Sequence, residues 1–174
     1  RILAHPGAEA WLRDPPGAWA DFRQLVRRAA QAGAVPPAVL EPWLHETASR
    51  PAPSTPTDWH FEALAPGQPL MLAGDDWQVV HHGGHSLDHL TFSHRWGRTL
   101  LTGDLLSRHA DTVPWLDARA PGGSGALAEL ILAWRHLARL RQAVVWPGHG
   151  PGIRAHRILV ARRLAGVRSQ LVAT

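Results

Sequence analysis

Three side chains that can bind a metal ion each follow an apolar segment and a glycine. They are His85, Asp104 and His149. Runs of large apolar and β-branched residues bounded by glycine are typical of strands that end in a turn. Glycine lets the backbone turn sharply beside a ligand, and a rigid sheet holds side chains at strand ends in fixed positions. We therefore predict that the three side chains point to a common place.

Two imidazoles and one carboxylate are a ligand set that suits zinc, iron or manganese. The chain has no cysteine, so a metal ion would be held by nitrogen and oxygen atoms alone. A catalytic metal site keeps one position open for water and lowers the pKa of that water to about 7. This pattern indicates metal-dependent hydrolysis.

Each of these residues also has a purely structural interpretation. A single histidine is most often a surface or core residue, Asp104 could cap a helix over 105–108, and Gly148-His149-Gly150 could be only a turn. Taken one at a time, these interpretations are favoured. Three such strand ends within one small chain favour the metal site.

The spacing of apolar residues along the chain predicts an α/β fold with sheets covered by helices. Apolar periodicity changes from helical to alternating near residue 60 and back to helical near residue 126. Residues 8–50 form a predicted helical insertion, and 51–58 form a linker rich in Pro, Ser and Thr. The predicted strands are 1–5, 60–64, 70–73, 77–82, 90–94, 99–102 and 143–146, and the main helices are 8–13, 18–32, 37–48, 126–141 and 154–171.

Length and charge limit the remaining interpretations. The 174 residues suit one domain, and 45% are hydrophobic, which is enough to bury a core. The net charge of +4 comes with arginines scattered over amphipathic segments, so we interpret them as solvated helix faces and expect no nucleic acid as a partner. No apolar run is long enough to span a bilayer. We expect a cytoplasmic protein without a membrane partner that acts on a small molecule.

Three segments resemble the metallo-β-lactamase-fold hydrolases. The segments GHSLDHLTFSH, LLTGDLL and VVWPGHGPGI are similar to that family's Gly-His-x-x-x-His, Thr-Gly-Asp and Pro-Gly-His-Gly motifs, in the same order. The segment ILAHPGAEAWL resembles the strand and helix that follow the family's first metal motif. The similarity covers roughly residues 60–160.

The resemblance implies a partial αββα sandwich with a metal site at one edge, spanning 1–174. It implies two divalent metal ions, zinc first and iron or manganese as alternatives. His85 would bind the first metal, and His149 the second. Asp104 would bridge both metals and help to hold a nucleophilic hydroxide, and His89 would support the ligands from behind.

Two departures from the family pattern affect these expectations. The family's His-x-His-x-Asp-His motif, with four ligands, is absent from this sequence. Because the chain begins at Arg1 without Met, we expect the motif in a missing N-terminal segment of the same protein, which would complete the site. Leu87-Asp88 stands where the family often has Pro-Gly, which leaves Asp88 able to hydrogen-bond a ligand.

The expected substrate is an ester, thioester or lactone. The aromatic residues Trp11, Trp19, Phe22 and Trp43 could line an acyl pocket, although simple packing is favoured for most of them. The chain has no tyrosine, unlike some lactonase relatives, which counts against that class. Two alternatives remain open: a non-catalytic binding module that has lost its metals, and a nucleic-acid-processing member of the same fold. Of the other histidines, His81 or His82 could support the ligands, whereas we expect His5 to stay away from the site.

Overall fold

A computed structural model of the chain describes residues 1–31, 41–42, 44–45, 48–51, 54, 59–106, 124–141 and 144–172. The structure gives bounds for seven strands, four helices and one 3-10 turn at Pro6–Ala8, and the described residues 41–42, 44–45 and 48–49 are also helical. In chain order they are β1 (Ile2–Ala4), α1 (Glu9–Arg13), α2 (Pro15–Gln31), β2 (Phe61–Ala63), β3 (Pro69–Leu72), β4 (Asp75–His81), β5 (Leu90–His94), β6 (Thr99–Gly103), α3 (Ser124–Arg139), β7 (Val144–Pro147) and α4 (His156–Val172).

The strands form two sheets. Strands β1 and β2 pair in parallel, and the other five strands form a sheet in the order β3-β4-β5-β6-β7. Pairing is antiparallel from β3 to β6, whereas β7 lies parallel to β6. Helix α3 connects those two parallel strands, as such a pair requires a crossover.

Strand direction explains how distant parts of the sequence meet. Strand β5 is antiparallel to both β4 and β6, so β4 and β6 run the same way. Because β7 is parallel to β6, the carboxyl ends of all three strands lie at one edge of the sheet. The loops that follow these strands contain the three predicted ligands.

The main core lies between the sheet and helices α3 and α4. It includes Leu100 of β6, Val145 of β7, Trp134 of α3 and Val160 of α4, all at most 2% exposed. The buried positions of α3 recur at helical spacing, which gives this helix one apolar stripe that faces the sheet. They are Leu130, Ala133, Trp134 and Leu137. Within the described residues, no helix is long and apolar enough to cross a membrane.

The N-terminal helices differ from the sequence prediction at one boundary. We predicted that 14–17 would interrupt the chain and that the helix would begin at residue 18, but α2 begins at Pro15. The Asp14 carboxylate accepts a hydrogen bond from the Gly17 amide (3.0 Å) and thus caps the helix. Proline is tolerated in the first turn of a helix, because a backbone N–H at that position would have no carbonyl partner within the helix.

Two aromatic residues of the predicted insertion pack on each other. Trp19 stacks on Phe22 with 5.4 Å between ring centroids, and the Arg23 guanidinium lies 5.6 Å from the Trp19 ring. Trp43 lies outside the described residues, as does much of 32–58. The acyl pocket and the division into an insertion at 8–50 and a linker at 51–58 therefore stay predictions.

A buried polar link connects the sheet to α3. The His82 ring, which follows β4 and is 5% exposed, hydrogen-bonds Thr91 Oγ1 of β5 through Nδ1 (2.7 Å). Its Nε2 hydrogen-bonds His136 Nδ1 of α3 (2.7 Å). Burial, with a further contribution from His136, lowers the pKa of His82 to about 4. The ring is therefore neutral at pH 7 and can take part in both bonds.

We predict that replacing Trp134 by Phe lowers the free energy of unfolding by about 1–3 kcal/mol. The indole Nε1–H donates to the carbonyl of Leu105 (2.9 Å) in a buried position, so the replacement leaves that oxygen without its donor. Chemical denaturation measures the effect. Trp96→Phe is the matched control, because Trp96 is 73% exposed and its replacement should change stability by no more than about 0.5 kcal/mol. Equal effects for both variants would contradict the prediction.

We also predict that the metal-free protein loses stability as pH falls from about 6.5 to about 4. The pKa values of His82 and His89 are both lowered to about 4 in the folded chain, from an ordinary value of 6.5. The unfolded chain therefore binds more protons in this interval, so acid favours unfolding. Urea denaturation at several pH values measures the slope. An unfolding free energy that stays constant or rises on acidification over this interval would show that these rings are not kept neutral by folding.

Candidate metal centre

The three predicted ligands meet at the carboxyl edge of the sheet. His85 follows β4, Asp104 follows β6 and His149 follows β7. His85 Nε2 lies 3.6 Å from Asp104 Oδ2, and His149 Nε2 lies 3.4 Å from Asp104 Oδ1. The Asp104 carboxylate thus lies between two imidazoles, and each of its oxygen atoms faces a different ring.

The separations fit shared metal ions better than direct hydrogen bonds. A charge-assisted N–H···O bond would be about 2.7–2.9 Å long. Two ligand atoms that each lie about 2.05 Å from a tetrahedral zinc ion are about 3.3 Å apart. The observed 3.4 Å and 3.6 Å are close to that value. Since each oxygen faces its own imidazole, the arrangement suits a carboxylate that bridges two ions.

These residues do not form a complete metal site by themselves. Across the part of the chain that the structure describes, no group of three or more His, Cys, Asp or Glu side chains could hold an ion by itself. The geometry agrees, because the two imidazoles approach opposite oxygens of Asp104. Two nitrogen–oxygen pairs fill only half of the positions of two four-coordinate ions.

The Asp104 carboxylate lies so close to Gly148 that a side chain at position 148 would collide with it. The Gly148 amide donates to the carbonyl of Gly103 (2.8 Å), which brings the β7 loop against the β6 loop. A Cβ atom at position 148 would lie 2.5 Å from Asp104 Oδ1 and 3.2 Å from the Gly103 carbonyl carbon. Any other residue would therefore displace Asp104 or separate the two loops.

Burial favours the neutral form of the two imidazoles in the loop after β4, those of His85 and His89. Burial lowers the pKa of His85, and the Asp104 carboxylate opposes this effect without reversing it. Burial, followed by the positive charge that His85 can acquire, lowers the pKa of His89 to about 4. A neutral imidazole has the lone pair that metal binding requires. The side chain of His149 is 85% exposed, unlike those of His85 and His89, which are partly buried.

His89 lies behind the ligands, as its predicted role requires. Its ring is 5.8 Å from the His85 ring, centroid to centroid, in an edge-to-face arrangement. Its Nε2 atom would be 2.9 Å from a Cβ on Gly103, so the ring packs directly on the end of β6. The roles of His85, His89, Asp104 and His149 stay predictions, but the structure brings all four together.

The loop between β4 and β5 also contacts His5, the residue that follows β1. His5 Nδ1 lies 3.2 Å from Asp88 Oδ1, and the His5 ring stacks on His81 with centroids 4.8 Å apart. We expected His5 to stay away from the site, but the structure places it against the loop that contains His85. His81 Nε2 is 2.6 Å from the carbonyl oxygen of Leu87, so it supports that loop.

One residue that contacts the loop of His85 was not predicted from the sequence. No role was predicted for His136, yet it hydrogen-bonds His82 at the start of the loop that contains His85. Nothing in the helical pattern of α3 distinguishes this position, because the partner is 54 residues away. A pair of adjacent histidines before a glycine-rich loop, at 81–82, was the one available signal.

Comparison with known proteins agrees with this geometry. Residues 4–149 match the metallo-beta-lactamase superfamily. The probable metallo-hydrolase YqjP of Bacillus subtilis (strain 168) is 30% identical over 98 residues, which are 55% of this chain and 31% of that protein. The chain therefore spans less than a third of that curated relative.

Solved structures share the fold. A metallo-beta-lactamase family protein from Thermus thermophilus is 24% identical with a TM-score of 0.73, covering 99% of this chain and 54% of that one. The protein TTHA1623, solved in a di-iron-bound form, is 23% identical with a TM-score of 0.53, covering 91% of this chain and 61% of that one. With its motifs, its sheet topology and the sequence match in agreement, this chain belongs to the metallo-beta-lactamase superfamily and has the mixed α/β metallo-beta-lactamase fold.

Proposed function

We propose that this protein is a metal-dependent hydrolase of esters, thioesters or lactones. His85, Asp104 and His149 would hold two divalent metal ions. The observation that supports this most directly is the position of Asp104, whose two carboxylate oxygens lie 3.6 Å and 3.4 Å from two different imidazole nitrogens. The match to a superfamily that includes hydrolases, and to a probable metallo-hydrolase, supports the reaction class.

Zinc is the first choice of metal, because imidazole and carboxylate ligands at tetrahedral spacing suit it. Iron is the main alternative, supported by the relative that was solved with two iron ions, and manganese suits the same ligands. When bound, such ions lower the pKa of a water ligand to about 7 and polarise a carbonyl oxygen.

The chain's own residues have distinct parts in this proposal. His85 offers a neutral nitrogen because burial lowers its pKa. Asp104 supplies negative charge between the two imidazoles, and His89 holds the end of β6 from behind. His149 is 85% exposed, so its side of the site is where a substrate carbonyl and water would enter.

We further propose that another segment of the same protein completes the site. Three ligands are too few for two ions, and this chain spans 54% of the length of the Thermus relative. A His-x-His-x-Asp-His motif of the kind that this superfamily carries would supply the remaining ligands. The cytoplasmic location and the small-molecule substrate, with no nucleic acid or membrane as a partner, belong to the same proposal.

We predict that Asp104→Asn in the full-length protein reduces bound metal from about two ions per chain to one or fewer. An amide is neutral and has one carbonyl oxygen, so it cannot bridge two cations. Metal analysis after dialysis measures the content. Asp21→Asn is the matched control, because Asp21 is an exposed residue of α2. An Asp104→Asn protein that keeps the metal content of the control would contradict the bridging role.

We predict that the full-length protein hydrolyses at least one member of a panel of thioesters, esters and lactones, and that a chelator abolishes this hydrolysis. The rate should return on addition of zinc, iron or manganese, since the metal supplies the activated water. Hydrolysis that survives complete metal removal would overturn the mechanism. Absence of both metal and hydrolysis would favour a non-catalytic module, and salt-dependent binding of RNA or DNA would favour the nucleic-acid alternative.

A further inference from the structure

We propose that His136, an exposed residue on helix α3, is a positioning residue for the metal ligand His85 and acts through the ring of His82. This inference rests on the proposed metal-dependent function, because it concerns how one ligand of that site is held. It is supported by three contacts between the ligand loop and its surroundings.

The first contact closes the base of the ligand loop. The His82 amide donates to the carbonyl of His89 (3.1 Å), so residues 82–89 form a closed loop with His85 near its centre. The His82 ring is buried and also hydrogen-bonds Thr91, two residues beyond His89. Any displacement of the His82 ring is therefore passed to both ends of the loop.

The second contact places the loop on helix α3. Gly84 has a φ of +120°, and a Cβ there would overlap the Cα and amide nitrogen of Leu130. A Cβ on Gly83 would meet the side chain of Glu129 at 3.6 Å. The residues just before His85 thus lie directly on the backbone of α3, and the position of that helix determines the position of the ligand.

The third contact is the bond from His136 Nδ1 to His82 Nε2, at 2.7 Å. Thr91 Oγ1 lies 3.5 Å from the carbonyl of Val80, to which its hydroxyl donates. In that arrangement Thr91 accepts from the Nδ1–H of His82, and the bare Nε2 of His82 accepts from the Nδ1–H of His136. The neutral state of His82 at pH 7 is compatible with this chain of donors.

Loss of the His136 bond would leave a buried nitrogen of His82 without its donor. The ring would then gain by turning toward water, and the backbone of residues 82–85 would move with it. Residues that orient a metal ligand from outside typically change metal affinity by about 10–100-fold when they are removed. We expect the lower end of that range, because His136 acts through one intermediate ring.

The test is His136→Phe in the full-length protein, with metal affinity measured by competition against a chromophoric chelator. We expect binding of zinc to weaken about 10-fold, and the thermal midpoint to fall because the buried Nε2 of His82 loses its donor. His136→Asn should restore binding, since the asparagine amide nitrogen occupies the place of Nδ1 and can donate to His82. Arg135→Leu, at the neighbouring exposed position, should bind zinc as the unmodified protein does.

A second readout does not require metal. Amide hydrogen exchange in the metal-free protein should be faster at 83–85 in His136→Phe than in His136→Asn or Arg135→Leu. Wild-type affinity and unchanged exchange in His136→Phe would overturn the positioning role. If the unmodified protein binds no metal, the proposed function fails, and the exchange at 83–85 still decides whether His136 holds the loop.

Discussion

The direction of strand β5 is the constraint on which the candidate site depends. Because β5 is antiparallel to both of its neighbours, β4 and β6 end at the same edge of the sheet. The crossover through α3 then makes β7 parallel to β6. Reversal of β4, β6 or β7 would send the ligand that follows it to the opposite edge, so the site depends on strand direction as well as on individual side chains.

Burial of uncharged imidazoles follows from this placement. His82 and His89 lie where the loop meets the sheet, and the loss of solvent lowers the pKa of both rings below the ordinary value for histidine. Nearby histidines reinforce the effect, because a positive charge on one ring opposes a charge on the next. Protonation of these rings at low pH destabilises the folded chain, whereas at pH 7 the rings are neutral. Proteins commonly accept such a loss of stability where the local structure serves a function.

Much of the fold and the site could be predicted from local sequence. Strand β5 has the predicted bounds, and the strand–glycine–ligand pattern identified the residues that meet at the sheet edge. Local patterns failed where the partner is distant in sequence, as for His5 against Asp88 and for His136 against His82. The start of α2 was also misplaced, because a Pro-Pro pair was interpreted as a break although Asp14 caps a helix there.

Helix α3 contacts two of the ligand loops within a single turn. Trp134 donates to the carbonyl of Leu105, directly after Asp104, and two residues later His136 bonds the ring at the base of the His85 loop. A small rigid-body shift of the helix would therefore carry both loops in the same direction. The distance between His85 and Asp104 would then fluctuate less than the position of each residue relative to the rest of the sheet. The thermal motions of the two residues would therefore be correlated.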